Sequence, residues 1–177
     1  EYEKNLESQP KELQNVSYTG KYLNIQNSKF QISLNTDKGL TIKELIHSNF
    51  GSTSILGTLA HGYYDDISFG ADYFSAHAVI EQPGEHKVTD LGKIKPKIVE
   101  GSNKVSISTQ QVYDDCKFAN TVNIYKDKVK FKKKVEYSAY KKAIIRPFIF
   151  TFNVEAWDQD SLSVITHNGG AILEKYL

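Results

Sequence analysis

Three features of the 177-residue sequence predict an all-β chain, folded as an antiparallel β-sandwich or barrel. From Tyr22 onward apolar and polar residues alternate at period two, the repeat of a half-buried strand. Turn-forming residues interrupt this alternation about every 8 to 12 residues, dividing it into about ten short strands. Past the first stretch no window follows the helical period, and no self-similarity at a period of about 20–50 residues suggests a propeller or solenoid.

Residues 1–17 are polar, contain Pro10, and lack a sustained apolar period, although Leu6 and Leu13 lie seven apart. They are expected to be a linker or arm, with residues 18–177 as the sandwich domain. The strands begin with Tyr22-Leu23-Asn24-Ile25. Next comes Lys29 to Leu34, where Phe30, Ile32 and Leu34 share one face. Asn35-Thr36-Asp37-Lys38-Gly39 supplies a turn, with Gly39 able to take positive φ, and Leu40 to Ile46 is the return strand. Further alternations occupy Lys93 to Glu100, Lys104 to Val112 and Phe118 to Tyr125.

Lys126-Asp127 then closes a hairpin whose second strand runs from Lys128 to Tyr137. Lys128, Lys130, Lys132 and Lys134 share one face, and Val129, Phe131, Val135 and Tyr137 the other. The lysine row reads either as a solvated face that resists edge-to-edge pairing or as a patch for a polyanion. Lys133 falls on the inward parity, which predicts a bulge or strand end nearby. Ala143 to Val154 is almost continuously apolar and aromatic, which predicts a strand covered on both faces. Ser161 to Thr166 and Ala171 to Leu177 are the last two strands, separated by Asn168-Gly169-Gly170.

Composition narrows the function. Net charge is +1 from 22 basic and 21 acidic side chains, and Arg146 is the sole arginine, so neither a global field nor bidentate phosphate readout favours nucleic acid. No apolar run approaches the ~20 residues of a bilayer crossing, so no membrane partner is expected. Cys116 is the single cysteine; no internal disulfide or CxxC motif is possible. It follows two aspartates, whose charge raises a thiol pKa, and is expected to be inert. The absence of any Met predicts that the chain is a piece of a longer product.

The stretch from Gly57 to Glu85 departs from the strand rhythm. Between Gly57 and Glu81 it gathers two His, three Asp, one Glu, three Tyr and two Phe. Rings that stack on the CH face of a pyranose, beside carboxylates that accept from its hydroxyls, are what a sugar site needs. The candidate substrate-binding residues are therefore His61, Tyr64, Asp65, Asp66, Asp72, His77 and Glu81, joined by His167 at the rim turn. Taken singly, these residues read as a plug for one end of the sandwich, as turn caps or as partners of buried carbonyls; taken together, they read equally as a site or as a domain interface. His61, Asp65, Asp66, Asp72 and His77 show no compact metal-ligand spacing, so no metal is expected. GxSxG, P-loop and GxGxxG motifs are absent, and no cofactor is expected.

The opening strands Tyr22 to Ile46, with Asn24, Phe30 and Thr36-Asp37-Lys38-Gly39 before Ile42, resemble the entry to the galactose-mutarotase-like super-sandwich. The hairpin from Ile124 to Tyr137, the strand Arg146 to Val154 and the closing Trp157-Asp158 to His167-Asn168-Gly169-Gly170-Ala171 resemble its later strands. The resemblance implies an antiparallel super-sandwich, incomplete at this length, of the kind that follows the catalytic barrel of α-mannosidase- and α-amylase-type glycoside hydrolases. It implies a carbohydrate ligand and an upstream catalytic domain of the same polypeptide. On this reading the chain is accessory or cleft-completing. One alternative is an aldose 1-epimerase-like enzyme, pairing Glu81 or Asp72 with His61 or His77 as base and acid. Another is a structural or adhesive sandwich without a sugar site.

Overall fold

The computed structural model describes residues 15–57, 74–113, 115–138, 142–153, 156, 164–165 and 173–174. No α-helix occurs among them, and no helix is long and apolar enough to cross a membrane. The strands are β1 (Asn15–Thr19), β2 (Tyr22–Gln26), β3 (Phe30–Asn35), β4 (Thr41–His47), β5 (Leu56–Gly57), β6 (His77–Glu81) and β7 (Val88–Thr89). After them come β8 (Lys97–Glu100), β9 (Lys104–Tyr113), β10 (Cys116–Tyr125), β11 (Val129–Tyr137), β12 (Ile144–Ile149), β13 (Val164–Ile165) and β14 (Leu173–Glu174). All their pairings are antiparallel, and none of the sheets closes into a barrel. The fold is a β-sandwich.

One layer runs β1-β2-β3-β4-β5 and continues into β12-β6-β7 through bridges from Ile42 to Ser75 and from Leu56 to Phe152. The other layer is the sheet β11-β10-β9-β8. The period-two pattern explains how they meet. Leu23, Ile25, Ile32, Leu34 and Ile42 of the first layer pack against Val105, Ile107, Val122 and Ile124 of the second. A second cluster joins Ala78 and Ile80 of β6 to Cys116 and Phe118 of β10. Each fully buried aliphatic or aromatic side chain contributes about 1.5–3 kcal/mol relative to exposure.

Between these two apolar clusters lies a buried polar junction centred on Asp90, just after β7. Its Oδ1 accepts from the Ala78 amide at 2.7 Å, and its Oδ2 accepts from Asn120 Nδ2 at 2.8 Å and from Lys133 Nζ. Gln111 Nε2 donates to the Asp90 carbonyl at 2.6 Å, and Lys133 Nζ also donates to the Ala76 carbonyl at 3.0 Å. The side chains of Lys133 and Asp90 are 2% and 1% exposed. Burial pushes the Lys133 ammonium below the usual lysine range, and the Asp90 carboxylate opposes that shift. Gln111, Asn120 and Lys133 lie on β9, β10 and β11, so one residue, through its carboxylate and its main-chain carbonyl, gathers three neighbouring strands of one layer onto the other.

The turn predicted at Asn35 to Gly39 forms a 3-10 turn at Thr36–Lys38, with the Asn35 side chain accepting from the Asp37 amide. Gly39 has φ +65°, and an added Cβ would lie 1.7 Å from the Asp90 carbonyl oxygen. Conformation and space both require glycine there.

Three expectations change. Lys133 sits at no bulge: β10 and β11 pair without a register shift, Asn120 lying opposite Lys133. It points inward because Asp90 is there to receive it. The strand at 143–154 is not covered on both faces, since Ile144 through Pro147 of β12 are exposed. Among the described residues β12 is the outermost strand of its sheet, and Pro147, lacking an N–H, suits such an edge. Finally, β1 begins within the stretch read as an arm and pairs along its length with β2.

Two outcomes follow for urea denaturation. Lys133→Met leaves Asp90 buried and uncompensated, and is expected to cost about 3–5 kcal/mol, with part recovered in Asp90→Asn/Lys133→Met. A loss below about 1 kcal/mol in the single variant would remove the pair from its structural role. Gly39→Ala, by contrast, is expected to lower the urea midpoint more than alanine at Gly20, where φ is also positive but no atom lies within 4 Å. Equal losses would mean that crowding against Asp90 adds nothing.

Candidate functional site

Of the sequence-predicted site residues, His77 and Glu81 fall within the described residues. His61, Tyr64, Asp65, Asp66, Asp72 and His167 lie outside them. The part of the expected loop from His77 to Glu81 is a regular strand, β6, flanked by β7 and β12. His77, Ala78, Val79 and Ile80 are all buried, so the strand shows no alternation of apolar and polar residues.

His77 and Glu81 share strand parity but are four residues apart, a span of about 13 Å along a strand. His77 is fully buried, and its Nδ1 donates to the Phe74 carbonyl. That carbonyl has no proton to give, so the contact places the hydrogen on Nδ1. A buried ring so far from the carboxylate cannot share one sugar with it, so these two do not form an acid–base pair.

Glu81 has different surroundings. It ends β6 at the surface, opposite Ile144 of β12 and diagonal to Arg146. Diagonal cross-strand neighbours are within reach of long side chains. Arg146 donates to Glu81 Oε2, and Lys87, on the β7 side, holds Oε1 at 2.9 Å. The Lys87 and Arg146 hydrogen bonds hold the carboxyl below the usual carboxylate range, outweighing its small desolvation. Beside it opens a depression of about 320 Å³, lined by Glu81, Gln82, Pro83, Lys142, Ala143 and Ile144. That volume falls at the lower end of the ~300–1,000 Å³ typical of small-molecule sites.

The lining combines the Glu81 carboxylate, the Gln82 amide and the Lys142 ammonium with apolar Pro83, Ala143 and Ile144. Such a surface can accept hydrogen bonds from vicinal hydroxyls while covering a CH face. Among the described residues no group of three or more His, Cys, Asp or Glu side chains is arranged to hold a metal ion. Cys116 is buried, and burial followed by the Asp115 charge pushes its thiol up. Sequence reasoning singled out Glu81 but missed Lys87, Arg146, Gln82 and Lys142. The sole arginine was the available signal, and only the β6–β12 register shows what it meets.

Comparison with known proteins adds little. No family model matches the chain, and no curated protein matches it. Among solved structures, it is similar to the 4-alpha-glucanotransferase from Thermococcus litoralis at a TM-score of 0.49 and 14% identity. The match covers 77% of this chain and 26% of that enzyme, so the chain spans about a quarter of its length. Likeness at that level carries no functional argument.

Because the folded pKa of Glu81 is depressed, its ion pairs stabilise the fold fully above the unfolded value, and that contribution is lost as pH falls through the folded value. In a carboxyl-carbon NMR titration, Glu81 is expected to have its midpoint below 4.5, the ordinary glutamate value. Lys87→Gln and Arg146→Gln should each raise it. A midpoint at or above 4.5 in the unmodified chain would contradict the described contacts.

Proposed function

We propose that the chain is a carbohydrate-associated β-sandwich domain of a glycoside-hydrolase-like protein, of the galactose-mutarotase-like super-sandwich type. It is accessory or cleft-completing rather than independently catalytic. The observation that carries this reading is the open depression beside Glu81, whose lining mixes an ionised carboxylate and other polar groups with apolar side chains. Hydrogen-bonding groups and a CH-compatible surface within one such volume suit a sugar ring.

The accessory role rests on what Glu81 can do. A carboxylate clamped by two cations has no proton to donate near neutral pH and is a weak base, so it binds hydroxyls rather than moving protons. Tyr64, Asp65, Asp66 and Asp72, with His61 and His167, are proposed to extend the sugar surface. The proposed partner is an upstream catalytic domain of the same polypeptide. It would cover the apolar side chains of Ile144, Ile145, Phe150 and Phe152, which are 59%, 42%, 39% and 49% exposed. The same exposed side chains favour a second reading, a structural or adhesive sandwich that uses this edge for docking and binds no sugar.

Calorimetric titration with neutral gluco-, galacto- and manno-oligosaccharides separates the two. The proposal expects binding by at least one series, weakened by about 10- to 100-fold in Glu81→Gln through loss of a charge-assisted hydrogen bond. Tyr64→Ala and Asp66→Ala are expected to weaken the same series. Absence of binding to every series, or binding indifferent to all three changes, would leave the structural reading. Polarimetry of freshly dissolved glucose and galactose should show mutarotation at the buffer rate. Acceleration would instead make the chain an epimerase.

A further inference from the structure

The lysines of β11 are part of a larger surface. The continuous register of β8 to β11 places Lys97, Lys104, Lys117, Lys130, Lys132 and Lys134 on the outer face of the second layer, and Lys128, just before β11, joins them over the Tyr125 ring. Glu136 is the one carboxylate on that face among the described strand residues, alongside six lysines, with Asp127 and Lys128 in the turn before β11, on a chain whose net charge is +1. Lys117 and Lys134 pair with Glu136. Lys97, Lys104, Lys128, Lys130 and Lys132 have no carboxylate within ion-pair distance among the described residues.

Protection of sheet edges does not account for this arrangement. β11 and β8 are edge strands, where lysines discourage unwanted pairing. Lys104 and Lys117 lie on β9 and β10, the two inner strands, which have no free edge. The charges also crowd: Lys104, Lys128 and Lys130 stand over the single ring of Tyr125 at 5.8, 5.4 and 5.7 Å from its centroid. Like charges on neighbouring strands repel one another, and a bound polyanion removes that repulsion.

We propose that the outer face of β8–β11 binds an anionic polysaccharide, a chain bearing carboxylates or sulfates at regular intervals. Successive lysines of β11 on this face are about 6.8 Å apart along the strand, with neighbouring strands about 4.8 Å away, giving a flat lattice of point charges. Ser106, Ser108, Thr121 and Asn123 lie between the lysine rows, Ser106 Oγ donating to Asn123 Oδ1, and their remaining hydroxyl and amide capacity can meet sugar hydroxyls. Nucleic acid suits the face less well. Arginine is absent from it, and its one described aromatic, Tyr125, is covered by lysines rather than open for a base to stack. This surface is separate from the depression at Glu81 and does not depend on it.

The test uses the 177-residue chain with heparin and polygalacturonate as probes, titrated at several salt concentrations. Binding to at least one is expected. Lys104→Gln/Lys130→Gln/Lys132→Gln should weaken it at least tenfold and reduce the slope of log affinity against log salt by about one for each lysine removed. Lys21→Gln/Lys29→Gln/Lys43→Gln, which removes exposed lysines of the β1–β5 layer, should leave affinity and slope unchanged. Absence of binding to both probes, or an equal loss in the two triple variants, would overturn the proposal. So would tighter binding to a single-stranded oligonucleotide or to phosphatidylserine vesicles than to either polysaccharide. Neutral oligosaccharide titrations of the same variants report on the Glu81 surface independently.

Discussion

The contacts of Asp90 with the three strands opposite it, through its carboxylate to Asn120 and Lys133 and through its backbone carbonyl to Gln111, determine how the two layers of this sandwich can sit. Apolar surfaces are tolerant: Leu23, Ile25, Val105 and Val122 would pack nearly as well after a small slide. A buried carboxylate is not tolerant, because every displaced donor leaves a charged oxygen without a partner in a medium of low polarity. Asp90 takes the Ala78 amide from its own layer and Asn120 and Lys133 from the other. The Gly39 turn then packs directly against its carbonyl. Buried ion pairs add little net stability, and replacing one whole with apolar groups is often neutral. The role assigned to this one is alignment: it fixes β6 against β9, β10 and β11, and so fixes where β6 ends.

That end point matters for function. β6 emerges from the buried region at Glu81, where β7 and β12 bring Lys87 and Arg146 to it from opposite sides. Its depressed pKa therefore follows from sheet registry as much as from local sequence. On the second layer, the inward turn of Asn120 and Lys133 leaves their neighbours Thr121, Lys132 and Lys134 facing out. One alternation thus supplies both the internal junction and the cationic outer face. The proposed sugar surface and the proposed polyanion surface lie on different layers of the sandwich.

Much of the fold was legible because strands covered on one face advertise themselves by alternation. β2, β3, β4, β9, β10 and β11 follow the predicted spans closely, and the turn at Gly39 forms where its residues demand it. β6 was not legible as a strand, since it is buried along nearly its whole length and carries no polar face to mark the period. β12 misled for the converse reason: its apolar run implied a covered strand, while Pro147 within it was the sign of an edge. At Lys133 the parity was readable but its cause was not, because Asp90 lies more than forty residues away in sequence and meets it only through packing. The candidate site divided along similar lines. Glu81 could be picked out by residue type, whereas its cationic partners depend on cross-strand register that one sequence does not display.

Native-state hydrogen exchange at the Ala78 amide tests the central claim most directly, because that amide donates to the Asp90 side chain rather than to a neighbouring strand. If Asp90 locks the layers together, Ala78 should exchange only by global unfolding. Its protection should then fall with denaturant along the same slope as that of Ile107 in the core of β9. Exchange of Ala78 through a local opening, nearly independent of denaturant while Ile107 stays protected, would show that the carboxylate is peripheral and that apolar packing alone aligns the sandwich.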